Sequence, residues 1–319
     1  MKRRVIALDS GGTKLLTGVV DEDLGVHHRV VAQWPEPRTR EAVLRLMLEA
    51  VEEARGVAPD VEAIGAGIPS TVDQKTGVSV GCVHLPLADF PFRDWLAEAT
   101  GLPVYVDNDV NLAILGEHRA GAARNTSDAV MLTIGTGIGG GVISGGRLIR
   151  GSSGAATEPG HMTIEADGLP CPGDCPGRGC LEAYVSGPAL ARVGREHAAL
   201  APDQQLARML AEKGDITSAD VVQAARAGDP GAREALERMG TRLGAGIANL
   251  LNIFDPEVVI VGGGLGANAG ELLLEPARRV ARARALRPAA TRAQIVPAQF
   301  KEDAGKIGGA LLALKRGEV

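Results

Sequence analysis

This sequence predicts a two-part α/β protein, and three observations carry that prediction. Short β-branched runs alternate with longer amphipathic segments, the pattern of strands and helices packed in layers. A chain of 319 residues exceeds what one ordinary core organises and suits two domains. Two similar apolar hairpins, one opening at Val5 and the other at Val130, break at glycines and small hydroxyl residues and then return as apolar strands.

In chain order, Val5–Leu8 and Leu16–Val20 read as strands around a Gly-rich turn. Thr39–Arg55 reads as a helix, because Ala42, Val43, Leu46, Ala50 and Val51 are spaced for one apolar face. Ala63–Gly67 and Val104–Val106 are further strands, and Val110–Arg119 starts a helix. A second α/β half begins near Asp128, with strands at Val130–Ile134 and Gly141–Ile143. Residues 182–252 are mostly helical, and Val258–Val261 is a buried strand running into Gly262-Gly263-Gly264. Ile307–Leu314 is a last helix started among glycines.

Composition excludes several classes. Hydrophobic residues make up 45% and charged residues 23%, with a net charge of −5, so no basic excess invites nucleic acid or an anionic membrane. Aromatics are only 3%, too few for base-stacking platforms. Asp9 stops the first apolar run after four residues, short of a signal peptide, and no window approaches a membrane span. A cytoplasmic protein is expected, in which Asn125-Thr126-Ser127 matches a glycosylation sequon by chance.

Gly135-x-Gly137-x-x-Gly140 matches the dinucleotide fingerprint formally. That fingerprint needs a helix after it, whereas Gly141-Val142-Ile143-Ser144 reads as strand. No P-loop sequence occurs either. Each Gly-rich hairpin taken singly is equally a simple turn. As a pair they suggest phosphate held by backbone amides, where glycine allows close approach and Thr hydroxyls add donors. Asp9, at the end of the first strand, could then orient Mg²⁺ through water.

Leu102–Asn111 runs from a strand into a helix, which puts Asp109 at a strand's carboxyl end, where open α/β sheets bind ligands. Its local sequence is equally that of a helix N-cap. Farther on, His161, Cys171, Cys175 and Cys180 form His-x₉-Cys-x₃-Cys-x₄-Cys within a Gly/Pro-rich loop. Four N/S ligands so close together suit a closed, tetrahedral structural Zn²⁺ site, against the alternative of three surface thiols.

These motifs carry a family resemblance. Asp9-Ser10-Gly11-Gly12-Thr13-Lys14 resembles the first phosphate motif of the actin-like ATPase fold, and in detail that of the ROK family (repressors, open reading frames and sugar kinases). The resemblance implies two ribonuclease-H-like domains with ATP between them. Domains are expected at 1–118 plus 306–319, and at 119–305 with the zinc loop. It makes Leu132–Gly140, with Thr133, Gly135, Thr136 and Gly137, the second phosphate motif, and Gly262-Gly263-Gly264 the adenosine-side motif. Asn108-Asp109-x-Asn111 followed by Gly116-Glu117 is similar to the family's catalytic stretch. That makes Asp109 the base and Asn108 a sugar-hydroxyl partner. Carried over by position, Glu158, His161 and Glu182 contact the sugar, and Gly65-Ala66-Gly67-Ile68-Pro69-Ser70-Thr71-Val72-Asp73 resembles the family's loop near it.

This sequence departs from the family pattern in three places. Cys171-Pro172-Gly173-Asp174-Cys175 is two residues longer than the usual Cys-x-Cys, Ser70 replaces a Gly, and His84-Leu85-Pro86-Leu87 lacks the Asn of a Pro-Asn-Leu segment. The resemblance implies an ATP-dependent hexokinase, glucose being the leading acceptor, and a homodimer or higher homo-oligomer. Fructose, mannose, allose and N-acetylhexosamines are alternative acceptors, and polyphosphate is an alternative donor. A sugar-responsive repressor is disfavoured because Val5 already begins the first phosphate strand, leaving no room for a helix-turn-helix domain. The zinc loop and Asn108-Asp109 speak against an assembly ATPase of the same fold.

Overall fold

A computed structural model describes residues 2–82, 84–173, 175–202 and 204–318. The chain divides into two compact units. The first comprises Met1–Asn125, Gly141–Thr157 and Gln299–Val319, and the second Thr126–Gly140 and Glu158–Ala298.

The first unit opens with β1 (Arg4–Ser10), β2 (Lys14–Asp21) and β3 (Val26–Gln33), an antiparallel meander. The helix α1 (Arg40–Val57) is capped by Thr39, whose hydroxyl accepts from the Ala42 amide. It buries Val43, Met47, Ala50, Val51 and Ala54, so Met47 and Ala54 take the places that spacing had assigned to Ala42 and Leu46. Next come β4 (Ile64–Ile68), the small β5 (Ser70–Val72) and β6 (Ser79–Cys82) pair, α2 (Phe92–Thr100), β7 (Val104–Asn108) and α3 (Asp109–Ala120). The main sheet runs β3-β2-β1-β4-β7, with β4 parallel to both β1 and β7. β4 is buried at all five residues, as a central parallel strand requires.

In the second unit, β8 (Ala129–Ile134) turns into β9 (Ile138–Ser144), whose residues from Gly141 onward belong to the first unit, as does β10 (Arg147–Leu148). Helices α4 (Gly187–Leu200), α5 (Gln205–Lys213), α6 (Ser218–Arg226) and α7 (Pro230–Phe254) follow. Then come β11 (Val258–Gly262), α8 (Gly263–Ala269), α9 (Glu271–Arg284), α10 (Ala289–Arg292) and β12 (Gln294–Pro297). β11 lies between β8 and β12 and is parallel to both. β9 is strand, as the residues after Gly140 predict, so Gly135–Gly140 has no dinucleotide-binding context. Strands β3, β5, β6 and β12 and the helix α2 escaped the sequence reading: the strands are short or lie at sheet edges, and their apolar pattern is weak.

The chain re-enters the first unit to form α11 (Ala304–Leu314), which starts three residues before the predicted helix and is almost wholly buried. Glycines let this helix approach other backbone directly. A Cβ on Gly308 would lie 1.8 Å from the Leu112 carbonyl oxygen of α3, and one on Gly65 would lie 1.8 Å from that of Gly309. Glu117, fully buried, also ties α3 to this returning segment: its carboxylate accepts from the Ala122 amide at 2.7 Å and the Phe300 amide at 2.8 Å. Among the described residues no helix is long and apolar enough to cross a membrane.

Because the obstacle at Gly308 is backbone, a methyl group there cannot be absorbed by a side-chain rotation. Gly308→Ala should destabilise the protein by about 3 kcal/mol or more in chemical denaturation. Gly56→Ala, at a helix position with nothing within 4 Å, should instead be neutral or stabilising by up to about 1 kcal/mol.

Candidate functional site

In the first unit the carboxyl ends of three neighbouring strands present the predicted residues side by side. Asp9 on β1 pairs with Gly67 on β4, and Gly67 with Asp107 on β7. Asn108 and Asp109 follow at the passage into α3. Asn108, not Asp109, is the N-cap of α3: its Oδ1 accepts from the amides of Val110 at 2.8 Å and Asn111 at 3.1 Å. The capping alternative for Asp109 is thereby removed, and Asp109 is the first helical residue. Asn108 has one polar atom left, Nδ2, which lies 3.4 Å from the Ser70 carbonyl oxygen.

Asp107, 1% exposed, stiffens this corner. One of its oxygens accepts from the Asn108 amide and Asn111 Nδ2, and the other accepts from Arg150 Nε at 2.7 Å. Gly67 is glycine because a Cβ would sit 3.2 Å from the Asp109 Cα and 3.1 Å from Leu112. Ser70, standing where the family pattern has Gly, is buried and shares a 2.6 Å hydrogen bond with the Ser79 hydroxyl.

The first phosphate motif, Gly11, Gly12, Thr13 and Lys14, forms the β1–β2 turn, closed by the Gly11 amide on the Lys14 carbonyl at 3.1 Å. Two residues that the sequence reading missed hold its outward carbonyls. Trp34 Nε1 donates to Gly11 O and Arg38 Nη1 to Gly12 O, both at 2.8 Å. His84, from the segment lacking the expected Asn, packs its ring where a Cβ on Gly12 would be 3.2 Å away. Contacts this far apart in sequence leave no local signal.

Asp9 is pressed against the start of α11, where a Cβ on Gly305 would be 2.3 Å from its Oδ2. Desolvation pushes its carboxyl up to about 6, opposed by Lys306 and Lys14. Lys306, 3% exposed and also missed, donates to the Glu302 carbonyl at 2.8 Å and pairs with Asp303 at 3.0 Å. Lys14 pairs with Glu302 at 2.5 Å. A desolvated carboxylate at a strand end fits a place for Mg²⁺ and its waters, since a cation would offset the cost of its charge.

The second unit assembles the remaining predicted residues. Thr133, near the end of β8, pairs with Gly262 of β11. Gly263 has φ +78° and no room for a Cβ, which would meet Ile134 backbone at 2.5 Å, while Gly264 is open. Thr136 lies in the turn between Gly135 and Gly137, which the Gly135 amide closes on the Gly137 carbonyl at 2.9 Å. Gly135 has nothing within 4 Å, whereas a Cβ on Gly137 would lie 2.4 Å from Glu182 Oε2. Gly137 is therefore glycine to admit a carboxylate of the protein itself.

His161, Cys171, Cys175 and Cys180 offer ligand atoms that all lie within 4.8 Å of one another. Cys171 Sγ is 3.4 Å from His161 Nδ1 and Cys175 Sγ is 3.7 Å from Cys180 Sγ. A tetrahedron with Zn–S bonds of about 2.3 Å has ligand edges of about 3.8 Å. The donor set therefore fits structural Zn²⁺, and the four cysteines are free thiols rather than disulfides. The two-residue lengthening of the Cys171–Cys175 spacing leaves all four donors in reach. With Nδ1 turned to the cluster, His161 Nε2 is the nitrogen available to a sugar hydroxyl, so one residue can serve both predicted roles. Glu158 and Glu182 stand close enough to act on each other electrostatically. Desolvation raises the Glu158 carboxyl above its usual range, opposed by His161 and reinforced by Glu182.

Comparison with known proteins follows the same lines. The family description "ROK family" matches residues 5–316. A glucokinase of Streptomyces coelicolor is 36% identical, covering 97% of this chain and 96% of its own. A crystal structure of a ROK family glucokinase from Streptomyces griseus, in complex with glucose and AMPPNP, superposes with a TM-score of 0.87 at 36% identity over 98% of this chain and 99% of that one. A ROK hexokinase structure from Thermus thermophilus gives 0.77 at 36% identity over 98% of both. The mixed α/β architecture is thus the two-domain actin-like ATPase fold.

Purified protein should contain one zinc per chain by elemental analysis. Since bound thiols must shed their protons, and Cys171 is pushed up to about 12 by desolvation and its hydrogen bond to Cys175, zinc retention against a chelator should weaken as pH falls. Cys180→Ser should lose the metal.

Asp9→Asn should stabilise the ligand-free protein by about 1 to 2 kcal/mol at pH 8, allowing for its partial exposure. The folded-state value lies above the ordinary carboxyl value of 3.8, so the penalty on wild type grows as pH rises from about 4 to about 6. The stability gap between variant and wild type should therefore vanish near pH 4. Thermal denaturation of both proteins across this range measures it.

Proposed function

The chain belongs to the ROK family, and from that premise we propose that it is an ATP-dependent glucokinase, transferring the terminal phosphoryl group of ATP to the 6-hydroxyl of glucose. The observation that carries the assignment of the base is the capping of α3 by Asn108, which leaves Asp109 out of the cap and at the carboxyl end of β7. In the proposed reaction Asp109 accepts the proton of the 6-hydroxyl as that oxygen bonds to the γ-phosphorus and the bond to the β,γ-bridging oxygen breaks, its electrons leaving with ADP.

Glu158, His161 Nε2 and Glu182 orient the sugar through its other hydroxyls, which makes the attack effectively intramolecular. Backbone amides of the Gly11–Lys14 and Gly135–Gly137 turns hold phosphate oxygens, and Gly262–Gly264 borders the adenosine. Asp9 would hold Mg²⁺ through water, and the ion would supply neutralisation of phosphate charge. His161, Cys171, Cys175 and Cys180 would hold Zn²⁺, which would tie down the loop that carries His161 and Glu182. A reducing, cytosolic compartment suits four cysteines kept as thiols and metal ligands. A homo-oligomeric state is part of the same proposal.

Kinetics on glucose, fructose, mannose, allose, N-acetylglucosamine and N-acetylmannosamine, with ATP or polyphosphate as donor, test the reading. Glucose with ATP should give the highest kcat/KM. Asp109→Asn should lower kcat by roughly a hundredfold or more while glucose affinity changes only a few-fold. A wild-type protein that phosphorylates no hexose would end the kinase reading, and near-normal turnover by the variant would remove Asp109 as the base.

A further inference from the structure

The turn between β8 and β9 is held from outside at several points, all within the second unit. Ile138, the first residue after Gly135-Thr136-Gly137, donates its amide to Glu182 Oε2 at 2.7 Å. Gly160, beside His161, packs so closely that a Cβ there would be 2.4 Å from the Ile138 carbonyl oxygen. The Gly187 amide donates to the Gly135 carbonyl at 2.7 Å. Both ends of the metal-ligating loop, Gly160–His161 and Cys180–Glu182, therefore meet the same residue, Ile138. Glu182 is 9% exposed and lies two residues after Cys180, in a short 3₁₀ turn. A buried amide bonded to a carboxylate gains a short, charge-assisted bond, and without it that amide would be left unpaired. The neighbouring Gly135 and Gly137 carry no side chain that could fix the turn in its place.

We propose that Glu182 is a positioning residue for the nucleotide as well as a sugar contact. Its carboxylate sets the shape of the phosphate-binding turn through the Ile138 amide and so joins the sugar-binding loop to the ATP-binding hairpin. This inference rests on the kinase reading for the identity of the nucleotide. One oxygen, Oε2, is committed to the turn, which leaves Oε1 for a hydroxyl. Gln can keep the bond by accepting through its amide oxygen, whereas Ala cannot.

Calorimetric titration of Mg²⁺ and the non-hydrolysable analogue AMPPNP, without sugar, tests it on zinc-loaded protein. Glu182→Gln should bind the analogue within about threefold of wild type, and Glu182→Ala on the order of tenfold more weakly. Both should keep their zinc and bind glucose less well. Hydrogen exchange of the peptide spanning 133–141 gives an independent reading: it should quicken in Glu182→Ala and stay slow in Glu182→Gln. Should Glu182→Ala lose its zinc, Gly137→Ala, which displaces the carboxylate from the turn, should show the same loss of nucleotide affinity. Wild-type affinity and slow exchange in Glu182→Ala would overturn the proposal, as would a Gln variant as weak as the Ala one. A wild-type protein that binds no AMPPNP would overturn the kinase reading along with it.

Discussion

Two hydrogen bonds to one side-chain oxygen govern the corner that carries Asp109. Asn108 Oδ1 caps α3 immediately after β7, so the chain turns from strand to helix with no intervening loop. That places Asp109 on the first helical turn. Asp107 fixes the preceding residue and is itself held by Arg150, while Gly67 clears the space beside Asp109. From this start α3 runs buried to Glu117, whose carboxylate receives the returning chain at Phe300, and α11 then lies against it through Gly308. The cap, the buried carboxylates and the glycine contacts form one continuous set of constraints around the proposed base.

Glycines of the second unit do different work, and the space around each tells them apart. Gly135 and Gly264 have open surroundings and are free for a ligand to approach. Gly137 and Gly160 are filled by the protein's own atoms, a carboxylate in one case and a carbonyl in the other. Gly263 combines a positive φ with backbone contact, so it is required twice over. Glycine thus stands both where the surroundings are open and where the scaffold itself comes close.

Charge around Asp9 follows a similar division. Its carboxylate is costly in place, and the nearby Lys14 and Lys306 are themselves tied to Glu302 and Asp303, so neither is given over to it. An ionised group held there carries a desolvation cost that a bound cation would offset.

Much of this was legible in the sequence. Periodicity placed the central strands and α1, α3 and α11 within a few residues, because burial on both faces of a parallel strand or one face of a helix leaves a strong pattern. His-x₉-Cys-x₃-Cys-x₄-Cys announced a metal site because all four donors lie in one short loop, and the structure brings them within 4.8 Å of one another. Edge strands such as β3 and β12 were not legible, since a half-exposed strand alternates weakly and is decided by its neighbours. Nor was the choice between Asn108 and Asp109 as cap, because both are good caps and only backbone direction distinguishes them. Trp34, Arg38, Lys306 and the Glu182–Ile138 bond were invisible for one reason. Each joins residues from 23 to 297 positions apart (Gly11 to Trp34, Asp9 to Lys306), and such pairing exists only once the strands and helices have packed. The sequence by itself determined the central elements, the ligand types of the metal site and the family. Tertiary structure decided which side chain does what, because a role depends on the atoms a group meets and folding alone chooses them.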